Sequence, residues 1–308
     1  MTMSCTHKDH ALPAHCFPAS LQSLTFKYSY QHAIDSANLF PSSLKSLSLS
    51  YENAEPIEQL PPNLTTLVLH LQFHQHSLQS GFLPDTLTQL RLNHNQPLLP
   101  NILPPNLVHL TLGNSFNHPL LPNTFPESLK ELVFCKDFNQ PIEPGILPHS
   151  LVSLTFGLSF NQPLEQGSIP GNLETLVFGA RYKATLLPNV LPDSLVSLTF
   201  GNDWCPNTIR EGVIPPKLRY LKFQLQFKLR FGSSYNFNAQ RDLVLPRTLN
   251  ELWLQSQPIR PPTASSLLKV IGRDGARLTN ENIELNNNNN NHNDIRVRSK
   301  RKKNCNIM

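Results

Sequence analysis

Ile146-Leu147-Pro148-His149-Ser150-Leu151-Val152-Ser153-Leu154-Thr155-Phe156 is one copy of a phrase that this chain repeats about eleven times. The preceding copy reads Phe125-Pro126-Glu127-Ser128-Leu129-Lys130-Glu131-Leu132-Val133-Phe134, and the following one Ile169-Pro170-Gly171-Asn172-Leu173-Glu174-Thr175-Leu176-Val177-Phe178. The shared form is apolar-Pro-x-[Ser/Asn/Thr]-Leu-x-x-Leu-x-[Phe/Leu]. Starting at Phe17-Pro18, its first Leu falls at 21, 44, 64, 87, 107, 129, 151, 173, 195, 218 and 249. A period near 22 residues marks a stacked repeat, in which each unit contacts only its neighbours.

The second column is Leu in every copy, from Leu24 to Leu252, and the third is always Phe or Leu. In Leu-x-Phe the two apolar residues lie two apart, so both point to one side of a strand. A single short strand cannot bury that side, whereas stacked copies merge their leucines into a continuous core. The expected fold is a leucine-rich-repeat-like solenoid, with a parallel β-sheet of about eleven short strands and irregular Pro-rich return segments. At about 4.8 Å per strand the body is on the order of 50 Å long.

Within each copy the Pro sits three residues before the first Leu. It fixes its own φ and holds the preceding residue extended, which ends the return segment and aims the chain into the next strand. The chain has 28 Pro and 12 Gly, which argues against long helices. Gly113, Gly157, Gly179 and Gly201 follow the strand, where a sharp turn is expected. Nine residues past the first Leu comes an aromatic: Tyr30, Phe73, Phe116, Phe138, Phe160, Tyr182, Trp204 or Phe227. It is expected to fill the core on the return side. Asn117, Asn139 and Asn161 come next and are expected to be buried, bonding the backbone of neighbouring coils as a ladder.

The phrases Phe116-Asn117-His118-Pro119-Leu120, Phe138-Asn139-Gln140-Pro141-Ile142 and Phe160-Asn161-Gln162-Pro163-Leu164 resemble the FNIP repeat. That family has a 22-residue repeat similar to leucine-rich repeats. The resemblance covers roughly residues 17–260 and is most specific over 104–200; residues 87–107 are a shortened copy lacking the aromatic. It implies a curved interaction scaffold and supplies no catalytic residues. Some relatives add an F-box or a kinase domain. Here the repeats begin by residue 17 and the remainder is short, so neither is expected.

The repeats divide the chain into an N-terminal cap or unstructured segment (1–16), the solenoid (17–262), a C-terminal cap (263–285) and a tail expected to lack fixed structure (286–308). In the cap, 264–271 is expected to form a short helix stopped by Gly272. Leu221 to Phe231 alternates apolar and polar throughout, as a long half-buried strand does. It leads into the one major insertion, Gly232 to Asn238, which carries Tyr235 and Phe237 as partner-binding candidates or as a protective edge. Asn286–Asn291 is a polyasparagine run with nothing to bury.

The net charge of +5 resides in the tail, which holds six Lys/Arg and one Asp. Residues 1–285 balance at zero, with 20 Lys/Arg and 20 Asp/Glu. A nucleic-acid-binding body carries its own basic face, so no nucleic acid partner is expected. The last four residues, Cys305-Asn306-Ile307-Met308, match the C-a-a-X signal for prenylation, with Met favouring farnesyl on Cys305. Upstream stand Arg296, Arg298, Lys300, Arg301, Lys302 and Lys303, an arrangement that resembles the tail of Ras-type small GTPases. One lipid chain binds a membrane only marginally, and a polybasic run adds up to about 1 kcal/mol per charge. The expected location is the cytoplasmic face of the plasma membrane or an endomembrane, with a nuclear address as the rival reading of the basic run.

The N-terminus shows no secretory signal, and no apolar run is long enough to span a bilayer. Five widely spaced Cys read as reduced thiols. Cys5, His7, His10, His15 and Cys16 fit no standard zinc spacing, and His70, His74 and His76 are expected to face solvent, so neither a metal nor another cofactor is expected. No phosphate loop, nucleophile elbow or metalloprotease motif occurs. The residues just past the middle Leu are rich in Ser, Thr and Val and include no carboxylate; Arg91, Lys222 and Trp253 stand out in that column. It reads as a protein-binding face and not as an enzyme's active site.

Overall fold

In the computed structural model the described residues are 2–5, 10–34, 39–52, 57–71, 78–201, 203 and 212–223. Backbone alone is described for Cys5, Phe223, 243–245, 251–255, 270–272, 284–285 and 294–298. The strands that carry the repeat's leucines are β2 (Ser23–Phe26), β3 (Ser46–Tyr51), β4 (Thr66–Leu71), β5 (Gln89–Asn93), β6 (His109–Leu112), β7 (Glu131–Phe134), β8 (Ser153–Thr155), β9 (Thr175–Val177), β10 (Ser197–Phe200), β11 (Tyr220–Phe223) and β13 (Glu251–Gln255). They lie side by side in one parallel sheet in chain order, interrupted by β12 (Leu243–Leu245), which pairs elsewhere. The register sets leucine on leucine: Leu24, Leu47, Leu67, Leu90, Leu110, Leu132, Leu154, Leu176, Leu198, Leu221 and Leu252 form a single row. This is the expected solenoid. Register is strict because a slip of one residue would turn every leucine to solvent.

Inside, the first and middle leucines from Leu21 to Leu221 are buried almost completely. On the order of 1.5–3 kcal/mol per buried Leu, this row is the main favourable term. From β7 onward the core is aromatic. Phe134, Phe156, Phe178 and Phe200 stack face to face at 5.4–5.9 Å. Phe116, Phe138, Phe160 and Tyr182 form a second stack at 5.9–6.1 Å. Within a coil the two rings approach to 3.8–4.0 Å, as in Phe156–Phe160. Tyr30, Phe116, Phe138, Phe160 and Tyr182 therefore fill the core as expected, while Phe73, Trp204 and Phe227 lie outside the described residues. In the shortened coil, which lacks that aromatic, His94 is buried.

Each Pro begins a tight turn: the Pro148 carbonyl accepts from the Leu151 amide at 3.2 Å, and the same bond recurs from Pro18 to Pro215. The [Ser/Asn/Thr] position then ties coil to coil. Ser43, Ser128, Ser150 and Ser194 each donate to the carbonyl of the first Leu one coil back, at 2.6–2.7 Å. Asn63, Asn106 and Asn172 donate instead to the residue two before that Leu.

The glycines after the strand do different work from the one expected. None of Gly113, Gly157, Gly179 and Gly201 has positive φ. They are small because coils touch there: a Cβ on Gly157 would strike the Cys135 carbonyl, and one on Gly179 the Gly157 carbonyl. The left-handed residues form another column: beside His15 in the first coil, it holds Gly81, Asn101, Asn123, Gly145, Gly167, Asn189 and Gly212, the seven from Gly81 onward standing in successive coils. Each of these seven follows a Pro or polar residue, and the Leu99 carbonyl, for example, accepts from the Ile102 amide across Pro100-Asn101 at 3.4 Å. Pro followed by a positive-φ residue is the pattern of a type II turn. The asparagine ladder is present but outward: Asn117 and Asn161 are exposed and Asn139 is half-buried, because their partners are edge amides of the next coil.

At the ends, β1 (Thr2–Cys5) pairs parallel with β2 and extends the sheet by one strand. Of the expected helix over 264–271, the described part is extended: β14 (Val270–Gly272) pairs parallel with β12, so Gly272 lies in a strand and is not a helix stop. Val and Ile there favour strand over helix. Within the tail, β16 (Asp294–Arg298) runs antiparallel to β13, and β15 (Glu284–Leu285) antiparallel to β16. The expected long strand from Leu221 begins as β11; residues 224–231 lie outside the described residues.

Candidate interaction face

Three exposed columns cover the strand side: the two residues between the first and middle leucines, and the residue after the middle one. Alternation turns the second and third of these columns outward, since the leucines on either side of them point inward; the first column stands just before each strand begins. Over β2, β3 and β4 the last two columns read Ser23, Ser46, Thr66 and Thr25, Ser48, Val68; over β8, β9 and β10 they read Ser153, Thr175, Ser197 and Thr155, Val177, Thr199. These small side chains are half-buried, apart from Thr199, which is 9% exposed. A partner's backbone can approach closely above them.

Between these flanks lies a polar island on β5 to β7. His109 Nδ1 and Glu131 Oε2 face each other at 3.0 Å across adjacent strands, with both side chains about half exposed (48% and 46%). With Gln89, Leu110 and Thr111 they line an open depression of about 330 Å³. So exposed a pair is worth about 0–1 kcal/mol. Its chemistry is that of an oriented imidazole on a binding surface, able to donate or accept one hydrogen bond. Glu131 also qualifies the sequence reading: the column after the middle Leu holds no carboxylate, but the neighbouring column does.

Arg91 is exposed in the middle of this island, on β5. Its charge is felt on both sides. His70, on β4, is held below the ordinary imidazole value, first by burial and second by Arg91. Cys135, just past β7, is pushed up by burial, which Arg91 partly offsets. Cys135 occupies the glycine column, half-buried as a thiol with raised pKa, which makes a poor nucleophile. His70 differs from expectation: it is half-buried, not solvent-facing, because it sits at the end of a strand with Asn93 Nδ2 3.5 Å from its Nδ1.

Lys222 is half-exposed on β11, in register with Thr199. Trp253 is placed by its backbone in the same column on β13, opposite Lys222. Arg296 and Arg298 belong to β16, where Arg296 pairs in register with Trp253. Tyr235, Phe237, Lys300, Arg301, Lys302, Lys303 and Cys305 lie outside the described residues, as do His7, His74 and His76. Among the described residues no three His, Cys, Asp or Glu are grouped to hold a metal ion. Nor is any helix among them long and apolar enough to cross a membrane.

A second depression, about 680 Å³, lies at the turn edge of the first coils. It is lined by Phe17-Pro18, Phe40-Pro41 and Leu60-Pro61 together with His15 and Gln59. It is open, with a mixed polar and apolar lining and no Lys, Arg, Asp or Glu among the residues around it.

With this geometry in hand, comparison with known proteins gives the family. The FNIP repeat matches residues 9–52, 73–115, 94–134, 116–159 and 160–203. The chain belongs to the FNIP repeat family. Among solved structures, this FNIP-repeat chain is similar to CroV588, described as a novel circular LRR protein, at 32% identity and a TM-score of 0.68. The match covers 82% of this chain and 36% of that one, so this chain spans about a third of that protein's length. It also aligns with YopM from Yersinia enterocolitica WA-314, at 20% identity and a TM-score of 0.34, covering 77% of this chain and 64% of that one. No curated protein sequence matches it.

Proposed function

We propose that this FNIP-repeat protein is a non-enzymatic scaffold that binds another protein on its strand side and is held at the cytoplasmic face of a membrane by farnesylated Cys305. The observation that carries the first part is the strand side itself. Its rows of small Ser, Thr and Val side chains over β2–β4 and β8–β10 flank the polar island on β5 to β7. Such a surface offers close approach and a few anchoring groups, as interaction interfaces do. The repeat family and the LRR-like architecture support the same reading. A photo-cross-linking residue at Thr155 should capture one specific partner, and the same residue at Pro163 on the return side should not. Equal capture at both positions removes the strand-side reading.

The tether rests on sequence: Cys305-Asn306-Ile307-Met308 beside six Lys/Arg. One farnesyl and one basic run together are the two signals that stable anchoring needs. The mass of the native C-terminal peptide decides it. Farnesyl on Cys305 with the last three residues removed supports the tether, and an unmodified end overturns it. The basic run favours a second reading, a soluble adaptor with a nuclear address. In that case Cys305→Ser leaves the location unchanged, whereas release from membranes speaks for the tether.

A further inference from the structure

The balance of charge in the repeats conceals an uneven distribution. Among the described side chains, the three strand-side columns carry five Lys/Arg, namely Lys45, Arg91, Lys130, Arg219 and Lys222, against two carboxylates, Glu131 and Glu174. Everywhere else on the described residues there are five Lys/Arg and nine Asp/Glu, including Asp85, Glu127 and Asp193 in the turns before the strands. The strand side is net positive and the rest net negative. None of the five strand-side cations takes part in an ion pair among the described residues; the two ion pairs found there are His109–Glu131 and Lys183–Asp203. One of the two strand-side carboxylates is thus already engaged, by His109.

Their spacing is regular over the first half of the sheet. Lys45 and Lys130 immediately precede β3 and β7 and Arg91 lies in β5, so the three stand two strands apart each time; Arg219 immediately precedes β11 and Lys222 lies within it. At about 4.8 Å per strand the first three are about 10 Å apart across the sheet, with Arg91 offset by a further ~10 Å along its strand because its column lies three residues on; the two columns together span about 40 Å. An extended polypeptide advances about 3.3 Å per residue. A segment crossing from β3 to β7 between the two columns would pass one cation about every third residue, on alternate sides, and would reach the β11 pair about six residues further on.

We infer that the strand side receives an extended acidic segment of a partner protein, with carboxylates about three residues apart and Arg91 as its central anchor. This rests on the strand-side reading above and adds the chemistry of the occupant. Arg presents a planar fork that takes a carboxylate with two hydrogen bonds. The flanking Ser, Thr and Val columns leave room for the segment's backbone. Duplex DNA fits less well, since it carries a charge every ~1.7 Å and a row of five cations would leave most phosphates unmatched.

The test uses the full chain and a labelled peptide with Glu at every third position, beside a counterpart with Gln in those positions, followed by fluorescence anisotropy. The Glu peptide should bind at least about tenfold more tightly than the Gln peptide, with an advantage that shrinks as salt rises. Arg91→Glu with Lys130→Glu should abolish that advantage, and Glu143→Lys on the return side should leave it intact. The altered residues are exposed, and an unchanged melting temperature verifies the fold of each variant. Equal binding of the two peptides overturns the inference. So does retention of the advantage by the double variant, which would assign binding to the basic tail, and so does displacement of the peptide by a DNA duplex. A partner captured at Thr155 that the Glu peptide does not displace leaves the scaffold standing and removes only the acidic occupant.

Discussion

Gly179 lies where one coil's backbone crosses another, and a methyl group there would meet the Gly157 carbonyl. Gly179→Ala should therefore lower stability by about 3 kcal/mol, read from urea unfolding, because neither backbone can give way in a stacked array. Gly171, with ordinary φ and open space around its Cβ, is the matched control. Gly171→Ala should be neutral or slightly stabilising. His70 gives a pH-dependent counterpart. Its folded pKa lies below the unfolded one, so the unfolded chain binds the proton more readily. Stability from this residue is fully present above the unfolded value of about 6.5 and declines as pH falls through the gap between the two. His70→Gln should flatten the acid side of a stability-versus-pH curve; an unchanged slope would show that other groups set it. Residues are also where sequence reading fell short. The glycines after the strand were visible, but a run of Gly states only that a Cβ is unwelcome. Whether φ or a neighbouring backbone forbids it depends on the distance between coils, which no single repeat contains.

Two ladders bind one coil to the next, and they can be weakened or improved separately. Asn139 Oδ1 accepts from the Asn161 amide at 2.8 Å and from Gln162 Nε2 at 3.2 Å. Asn139→Ala leaves both donors without this partner at a half-exposed edge and should cost about 1–2 kcal/mol. Loss of protection at the Asn161 amide in hydrogen exchange would localise the effect. In the aromatic stack Tyr182 stands where neighbouring coils have Phe138 and Phe160, and its hydroxyl is buried without a hydrogen-bond partner among the described residues. Burial also pushes its phenol far above the ordinary value. Tyr182→Phe should raise stability by about 1 kcal/mol in the same unfolding assay. At this scale the sequence was highly legible: each strand lies on its predicted leucines because period and alternation are local signals. The type II turns were legible in principle, since Gly or Asn stands three residues before the apolar-Pro pair's Pro in seven successive coils, Gly81 to Gly212. That column is hidden in the sequence because three residue types share it, His15 included, and only φ unites them.

At the scale of the whole molecule, contacts among the described strands run almost entirely between neighbours in the sheet, so stability should be graded along the axis and not shared equally. Leucine amides on β7 to β10 should exchange more slowly than those on β2, because the stacked aromatics concentrate between Phe116 and Phe200. Uniform protection from end to end would contradict this. The candidate face was only half legible at this scale. Arg91 and Lys222 stand out in one column of the sequence, but Lys45, Lys130 and Arg219 occupy another, and their joint excess over Glu131 and Glu174 emerges only when strands are set side by side. A net charge taken along the chain cancels what the fold separates across it.

The common register of Leu132, Leu154, Leu176 and Leu198 also bears on inheritance. A coil duplicated or deleted by unequal recombination in this stretch finds equivalent neighbours above and below, so copy number can drift without disturbing the core. The outward columns are free of that constraint. A lineage could therefore lengthen its binding surface in one event and rewrite its charges afterwards, one codon at a time.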